Sequence, residues 1–452
     1  MQYLSTRGDP ARPGFAEILL DGLAPDGGLY LPDQWPRLTG PMAQDYAELT
    51  ASVLAPFVAP DPLEADLGAI AGAAYSRFRH PEVAPLVQLD EDRYLMELYW
   101  GPTLSFKDYA LSVVGGLFEV LLKRLRRPVL ILGATSGDTG SAAIDACKGR
   151  DNLEVVILYP EGKITEVQRR QMTTVSDDNV TVVAVGGSFD DCQALVKRAF
   201  TDPNLGLDLA AVNSINWARI AIQAAYYVSA AQRVGGDRPL AFAVPTGNFG
   251  NVLAGYVASR MGTPIERLII ANNRNHGLAD LVATGSLIVE APHSTLAPAM
   301  DIQIPSNLER FLFEVSDRDP FRVRAWQQQL TDTGRLSLTE GERAGVQQLL
   351  AAGWLSDEEV VETIRSVHQS SGLILDPHTA IAWEVGNQLC PPGTPLVTVA
   401  TAHPAKFGLA VARAIGEAPA LPNDLADLGE RDEHIVHMAN EYSALTQLLR
   451  SR

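Results

Sequence analysis

The chain has 452 residues, about three times the size of a usual single domain, and 46% of them are hydrophobic, so two or three units with large cores are expected. A net charge of −18 argues against a nucleic-acid binder, whose phosphate contacts need a basic surface. Cys147, Cys192 and Cys390 lie far apart, without disulfide-scaffold or metal-ligand spacing, so no metal site is expected and a reducing compartment is.

Residues 1–8 contain no apolar run of the signal-peptide kind, which points to a cytoplasmic location. Residues 1–85 read as an N-terminal unit, rich in Pro and Gly (Asp26-Gly27-Gly28, Leu31-Pro32-Asp33), with a short helix over 42–54. From residue 128 the pattern changes. Short apolar, strand-like runs at 128–132, 155–158, 180–185, 240–244, 268–271 and 396–400 alternate with helical stretches, among them 141–147, 165–174, 190–200, 217–234 and 251–261. That alternation predicts an α/β protein with doubly wound, mostly parallel sheets in two domains. The divisions expected are a smaller α/β domain over 86–235 and a larger one over 236–452. The most apolar helix, 217–234, carries Arg219, Gln223 and Gln232, so it reads as buried rather than membrane-spanning, and no membrane partner is expected. Residues 340–352 read as a solvated helix and 432–450 as a surface helix.

Six lysines stand against thirty arginines, so each lysine deserves inspection. Lys123, Lys148 and Lys197 occupy polar helical positions and read as surface charge. Lys107 lies in Gly101-Pro102-Thr103-Leu104-Ser105-Phe106-Lys107-Asp108, followed by an apolar helix. A partly buried amine has a lowered pKa and can serve as nucleophile, Schiff-base partner and general base; a lysine simply paired to Asp108 is the alternative. Gly133-Ala134-Thr135-Ser136-Gly137-Asp138-Thr139-Gly140 joins a strand to a helix, as does Pro245-Thr246-Gly247-Asn248-Phe249-Gly250-Asn251. Main-chain N–H groups at such helix starts suit a carboxylate or a phosphate, although each run also reads as a structural turn. Neither matches the dinucleotide or P-loop spacing. Two such loops with a reactive lysine suggest a ligand with two anionic ends, as an amino acid joined to pyridoxal phosphate would have. Asn213-Ser214-Ile215-Asn216-Trp217-Ala218-Arg219 offers amide and guanidinium donors or a plain helix cap. Lys163, just past a strand, reads as a phosphate contact or a solvated loop lysine. Ala400-Thr401-Ala402-His403-Pro404 sets a hydroxyl at another strand end, where it could meet a neutral ring nitrogen.

Taken together, these motifs resemble the threonine synthase family, in its longer bacterial and fungal type, a pyridoxal-phosphate family of fold type II. The resemblance is nearly end to end and includes Tyr3-Leu4-Ser5-Thr6-Arg7-Gly8, Pro298-Ala299-Met300-Asp301-Ile302 and Asp376-Pro377-His378-Thr379-Ala380. It implies that Lys107 holds pyridoxal 5'-phosphate and is the catalytic residue, that Gly247, Asn248, Phe249, Gly250 and Asn251 hold the cofactor phosphate, and that Thr401 faces the pyridine nitrogen. It further implies that Thr135, Ser136, Gly137, Asp138 and Thr139 bind the substrate α-carboxylate. Asp138 stands where related sulfhydrylases carry Asn and cannot donate to the cofactor's phenolate oxygen unless protonated, so Asn216 is the candidate for that contact. Lys163, Arg219 and Ser105 are candidates for the substrate phosphate. The run Asn273-Arg274-Asn275-His276 departs from the family's Asn-x-Asn-Asp and leaves the role of His276 open. The implied activity is that of a carbon–oxygen lyase acting on phosphates: O-phospho-L-homoserine and water give L-threonine and phosphate by β,γ-elimination and replacement, the last step of threonine biosynthesis. A dehydratase of the same fold and a non-catalytic binder of phosphorylated small molecules are the rivals, a nicotinamide dehydrogenase ranks last, and the oligomeric state, monomer or dimer, stays open.

Overall fold

Runs of branched and aliphatic residues form the strands, because such side chains pack well on a pleated surface covered on both faces. In a computed structural model, which describes residues 1–40, 42–135, 137–235 and 238–451, these runs build two larger sheets. The five-stranded sheet has the order Val436–Met438, Val180–Val185, Leu153–Pro160, Val129–Ala134, Leu209–Ala210, and every pair is parallel. The six-stranded sheet has the order Leu350–Trp354, Ile265–Asn272, Leu240–Pro245, Leu396–Ala400, Arg93–Glu97, Leu86–Gln88. Its last pair alone is antiparallel. The expected parallel α/β architecture is therefore present.

The chain's divisions do not follow the sheets. Leu86–Gln88 and Arg93–Glu97 pair into the sheet built from residues 240–400, and Val436–Met438 pairs into the other, so strand pairing crosses the expected boundary between residues 235 and 236 in both directions. The 340–352 helix stops at Leu349, and Leu350–Trp354 becomes an edge strand. Its small residues allow this: a Cβ on Gly353 would stand only 3.0 Å from Val385 Cγ1 of the covering helix. The 432–450 stretch is helical only over Tyr442–Arg450, and Leu445 and Leu449 are fully buried against the five-stranded sheet, so it is no mere surface helix. The helix expected over 42–54 starts later, at Tyr46, where the Asp45 carboxylate accepts the Glu48 N–H at 3.0 Å.

The N-terminal unit contains an antiparallel ribbon, Tyr3–Ser5 with Tyr30–Pro32, and helices that pack on the main body. Tyr3, Trp35 and Phe57 surround Trp217 with ring centroids 6.2, 6.1 and 5.6 Å away. Trp217 opens the Trp217–Gly235 helix, which is buried continuously through Ala231, as its apolar composition requires. Among the described residues no helix is long and apolar enough to cross a membrane. The loops after Val129–Ala134, Leu240–Pro245 and Leu396–Ala400 all open onto one cavity, as expected where ligands bind beyond the carboxyl ends of parallel strands.

Candidate active site

Lys107 is the first residue of the Lys107–Leu125 helix, and the loop before it is closed by Asp108. The Asp108 carboxylate accepts the Thr103 N–H at 2.8 Å and its hydroxyl at 2.5 Å, and burial pushes its pKa up to about 6. Gly101 is required here, because a Cβ would fall 2.4 Å from Asp108 Cβ. The Phe106 N–H donates to Thr401 O at 2.9 Å, tying the lysine loop to the end of the Leu396–Ala400 strand. Asp108 thus shapes the loop, while Lys107 pairs elsewhere.

Lys107 Nζ lies 3.4 Å from Asp138 Oδ2 and 4.8 Å from the centre of the Phe106 ring. Asp138 Oδ1 meets Lys406 Nζ at 2.8 Å and accepts from Gln168 Nε2 at 2.9 Å. Burial alone would raise the Asp138 pKa, but the Lys406 and Lys107 ammonium groups hold it well below the usual carboxylate range. Burial lowers the pKa of Lys107; Asp138 opposes that shift, and Lys406 and Arg219 add to it. Arg219 is itself pushed down to about 10 by burial, with one guanidinium N–H donating to Val212 O at 3.0 Å.

The two glycine-rich loops form opposite parts of the wall. In the first, Thr135 Oγ1 accepts from Gly137 N at 3.0 Å and from Gly140 N at 2.9 Å, so these two donors are used internally. Gly137 has φ 136°, and a Cβ there would strike Gln168. In the second, Phe249 adopts the left-handed conformation and no side chain caps the Gly250–Arg260 helix. Asn251 Oδ1 accepts the hydroxyls of Tyr226 and Tyr227 at 2.7 and 2.8 Å. Across from them, Asp376 Oδ1 lies 2.7 Å from His378 Nδ1, and the imidazole stands 4.7 Å from the Phe407 ring.

Three buried polar atoms on cavity-lining residues have no partner among the described residues: Asn251 Nδ2, Arg219 Nε and His378 Nε2. Buried polar groups are normally satisfied, so three around one cavity mark a ligand site. An uncapped helix start beside an unpaired amide donor suits a phosphate, and the lysine amine suits an aldehyde carbon. The residues present fit pyridoxal phosphate.

Comparison with known proteins decides the family. The model for pyridoxal-phosphate dependent enzymes matches residues 79–329, that for the threonine synthase N terminus residues 2–75, and that for the threonine synthase C-terminal region residues 379–449. The threonine synthase of Pseudomonas aeruginosa is 45% identical, over 98% of this chain and 96% of its own. The chain belongs to the threonine synthase family. The Saccharomyces cerevisiae member is 38% identical, over 94% of this chain and 93% of its own. A crystal structure of pyridoxal-phosphate-bound threonine synthase from Brucella melitensis superimposes with a TM-score of 0.97 at 44% identity, covering 100% of this chain and 99% of that one. The fold is accordingly the type II fold of pyridoxal-phosphate enzymes, and the family is one of pyridoxal-phosphate-dependent lyases.

Of the residues singled out in the sequence, Lys107, Thr135, Asp138, Thr139, Arg219, Gly247, Asn248, Phe249, Gly250, Asn251 and Thr401 all line this cavity. Ser136 lies outside the described residues. Others are placed differently. Asn216 is fully buried at the helix start, its Nδ2 donating to Leu19 O at 2.9 Å and its Oδ1 accepting from Ala218 N at 3.1 Å, so it ties down the N-terminal unit and does not line the cavity. Ser105 is buried behind the wall, Gly137 braces its loop, and Lys163 is exposed away from the cavity. Asp138 lines the cavity, but its carboxylate serves two ammonium groups rather than a substrate carboxylate, which would repel it. His276 pairs with Asp280 at 2.9 Å and stacks on Trp354 at 4.5 Å, outside the cavity. Sequence reasoning missed Lys406, Gln168 and His378. The scarcity of lysine was a usable signal for Lys406; nothing local distinguished Gln168.

Proposed function

We propose that this chain converts O-phospho-L-homoserine and water to L-threonine and phosphate, with Lys107 as its catalytic residue. The observation that carries the reading is a lysine amine of lowered proton affinity, set in a cavity whose walls are two helix starts and the Arg219 guanidinium. Lys107 Nζ would hold the cofactor covalently. The N–H groups of the Gly247 to Asn251 loop, with Asn251 Nδ2, would hold its phosphate, and the Thr401 hydroxyl would meet its ring nitrogen without charging it. Pyridoxal phosphate, when bound, supplies an electron sink for negative charge developing on the substrate carbons.

The remaining work falls to the chain. Lys107 Nζ, once free, accepts the proton from the substrate Cα and later returns one, a role that requires an amine that is neutral near pH 7. Thr139, at the start of the Asp138–Cys147 helix, faces the α-carboxylate. Arg219 offers a planar, permanently charged donor set to the departing phosphate. Inorganic phosphate and threonine release from O-phospho-L-homoserine tests the reading, with Lys107→Ala beside wild type. Equal amounts of both products from wild type and neither from the variant are expected. Release of ammonia and a keto acid instead would replace this reading with a dehydratase.

A further inference from the structure

Lys406 has no part in the chemistry above, yet its side chain is fully buried beside Lys107. It lies in the short turn Pro404–Phe407, soon after the Leu396–Ala400 strand. Its Nζ meets Asp138 Oδ1 at 2.8 Å and donates to Thr103 O at 2.6 Å. Lys107 reaches the other oxygen of the same carboxylate only at 3.4 Å. One carboxylate therefore serves two ammonium groups unequally, and the closer claim belongs to the lysine that faces no ligand. We propose that Lys406 is a positioning residue for Lys107: it takes up Asp138 and, by its own charge, makes it easier for the Lys107 amine to give up its proton.

The surrounding charges agree. Lys107 faces Asp138 from the Asp138–Cys147 helix, Arg219 from the Trp217–Gly235 helix and Lys406 from the turn. Asp108, on its own helix, is held by Thr103 and acts on Lys406. His403 beside Lys406 is pushed down to about 4 by burial and is neutral at pH 7, and His378 is held by Asp376. Without the Lys406 charge, Asp138 would have Lys107 as its one ammonium partner and would raise its proton affinity. The same geometry explains why an acidic residue can stand next to an amine that must give up its proton. The carboxylate is already neutralised from its far side.

The proposal rests on Lys107 being the reactive amine. Its test is trace acetylation of the full-length protein, stripped of cofactor, at a series of pH values, with the Lys107 peptide quantified by mass spectrometry. Lys406→Gln keeps amide donors toward Asp138 and Thr103 but removes the charge, and should raise the Lys107 titration midpoint by about one unit or more. Lys406→Arg should leave it near the wild-type value, and Asp138→Asn should lower it. In the holoenzyme, Lys406→Gln should lower kcat at pH 7 about tenfold, the equivalent of one unit, with recovery at alkaline pH and little change in KM. If circular dichroism shows the Gln variant unfolded, Lys406→Met, which keeps the apolar stem, replaces it. An unchanged midpoint in a folded Gln or Met variant overturns the proposal. Labelling needs neither cofactor nor substrate, so its failure is distinct from a failure to release threonine and phosphate.

Discussion

The loops over residues 133–140 and 245–251 both join a parallel strand to a helix through glycines, yet they spend their polar groups in opposite ways. The first is occupied with itself and its neighbours: Thr135 takes up two loop N–H groups, and Asp138 is held by Lys406, Lys107 and Gln168. The second leaves its helix start uncapped and Asn251 Nδ2 unpartnered, so its donors are available to a ligand. A similar local shape therefore does two jobs: the first loop holds a charge cluster in place through Thr135 and Asp138, and the second presents unpaired donors to an anion. The contrast predicts that substitutions in the first loop act mainly on stability and those in the second mainly on ligand affinity.

The largest break should come from Asp138→Ala, which leaves Lys406 and Lys107 buried without their shared carboxylate. A loss of about 3–5 kcal/mol is expected, measured by urea unfolding at pH 7. Because the folded-state pKa of Asp138 is depressed, its contribution is fully present above the ordinary carboxylate value and is lost only as pH falls below about 4. The gap between wild type and variant should therefore narrow as pH falls below about 4. Next comes Gly247→Ala. Its Cβ would stand 2.5 Å from the Ala299 carbonyl oxygen, which belongs to backbone and cannot swing away. Overpacking of about 1–3 kcal/mol should weaken cofactor binding by up to about 100-fold, followed by absorbance titration. Thr135→Val tests the other side of the contrast. It leaves Gly137 N without its acceptor and Gly140 N with the Gly137 carbonyl alone, and should cost about 1–3 kcal/mol of stability while cofactor affinity changes little. The smallest effect is expected from Lys163→Ala, which removes an exposed charge away from the cavity and should leave kcat/KM within about twofold of wild type.

Much of this was legible in the sequence, for identifiable reasons. Strands such as Val180–Val185 are short, branched and bounded by loops, so their period and length reveal them. Lys107 and the two glycine loops stand out because each is a local pattern. What escaped depends on long-range pairing. Val436–Met438 is three residues long and finds its partner only across the fold, and Leu350–Trp354 continues a helix without a break in composition. Asn216 has the chemistry of a ligand donor, but Leu19 of the N-terminal unit claims its amide. Lys406 meets Asp138 across a sequence gap that no local pattern spans.

The late pairing of Val436–Met438 also bears on how the protein is made. Until that segment leaves the ribosome, the strand Val-Thr-Val-Val-Ala-Val at 180–185 has one open edge, and its partner emerges about 250 residues later. At about 5–20 residues per second this amounts to roughly 13–50 s during which an uncharged, β-branched edge waits for its cover. Chains cut short before residue 436 would carry that edge permanently, so nonsense products of this protein are expected to aggregate rather than persist as soluble fragments.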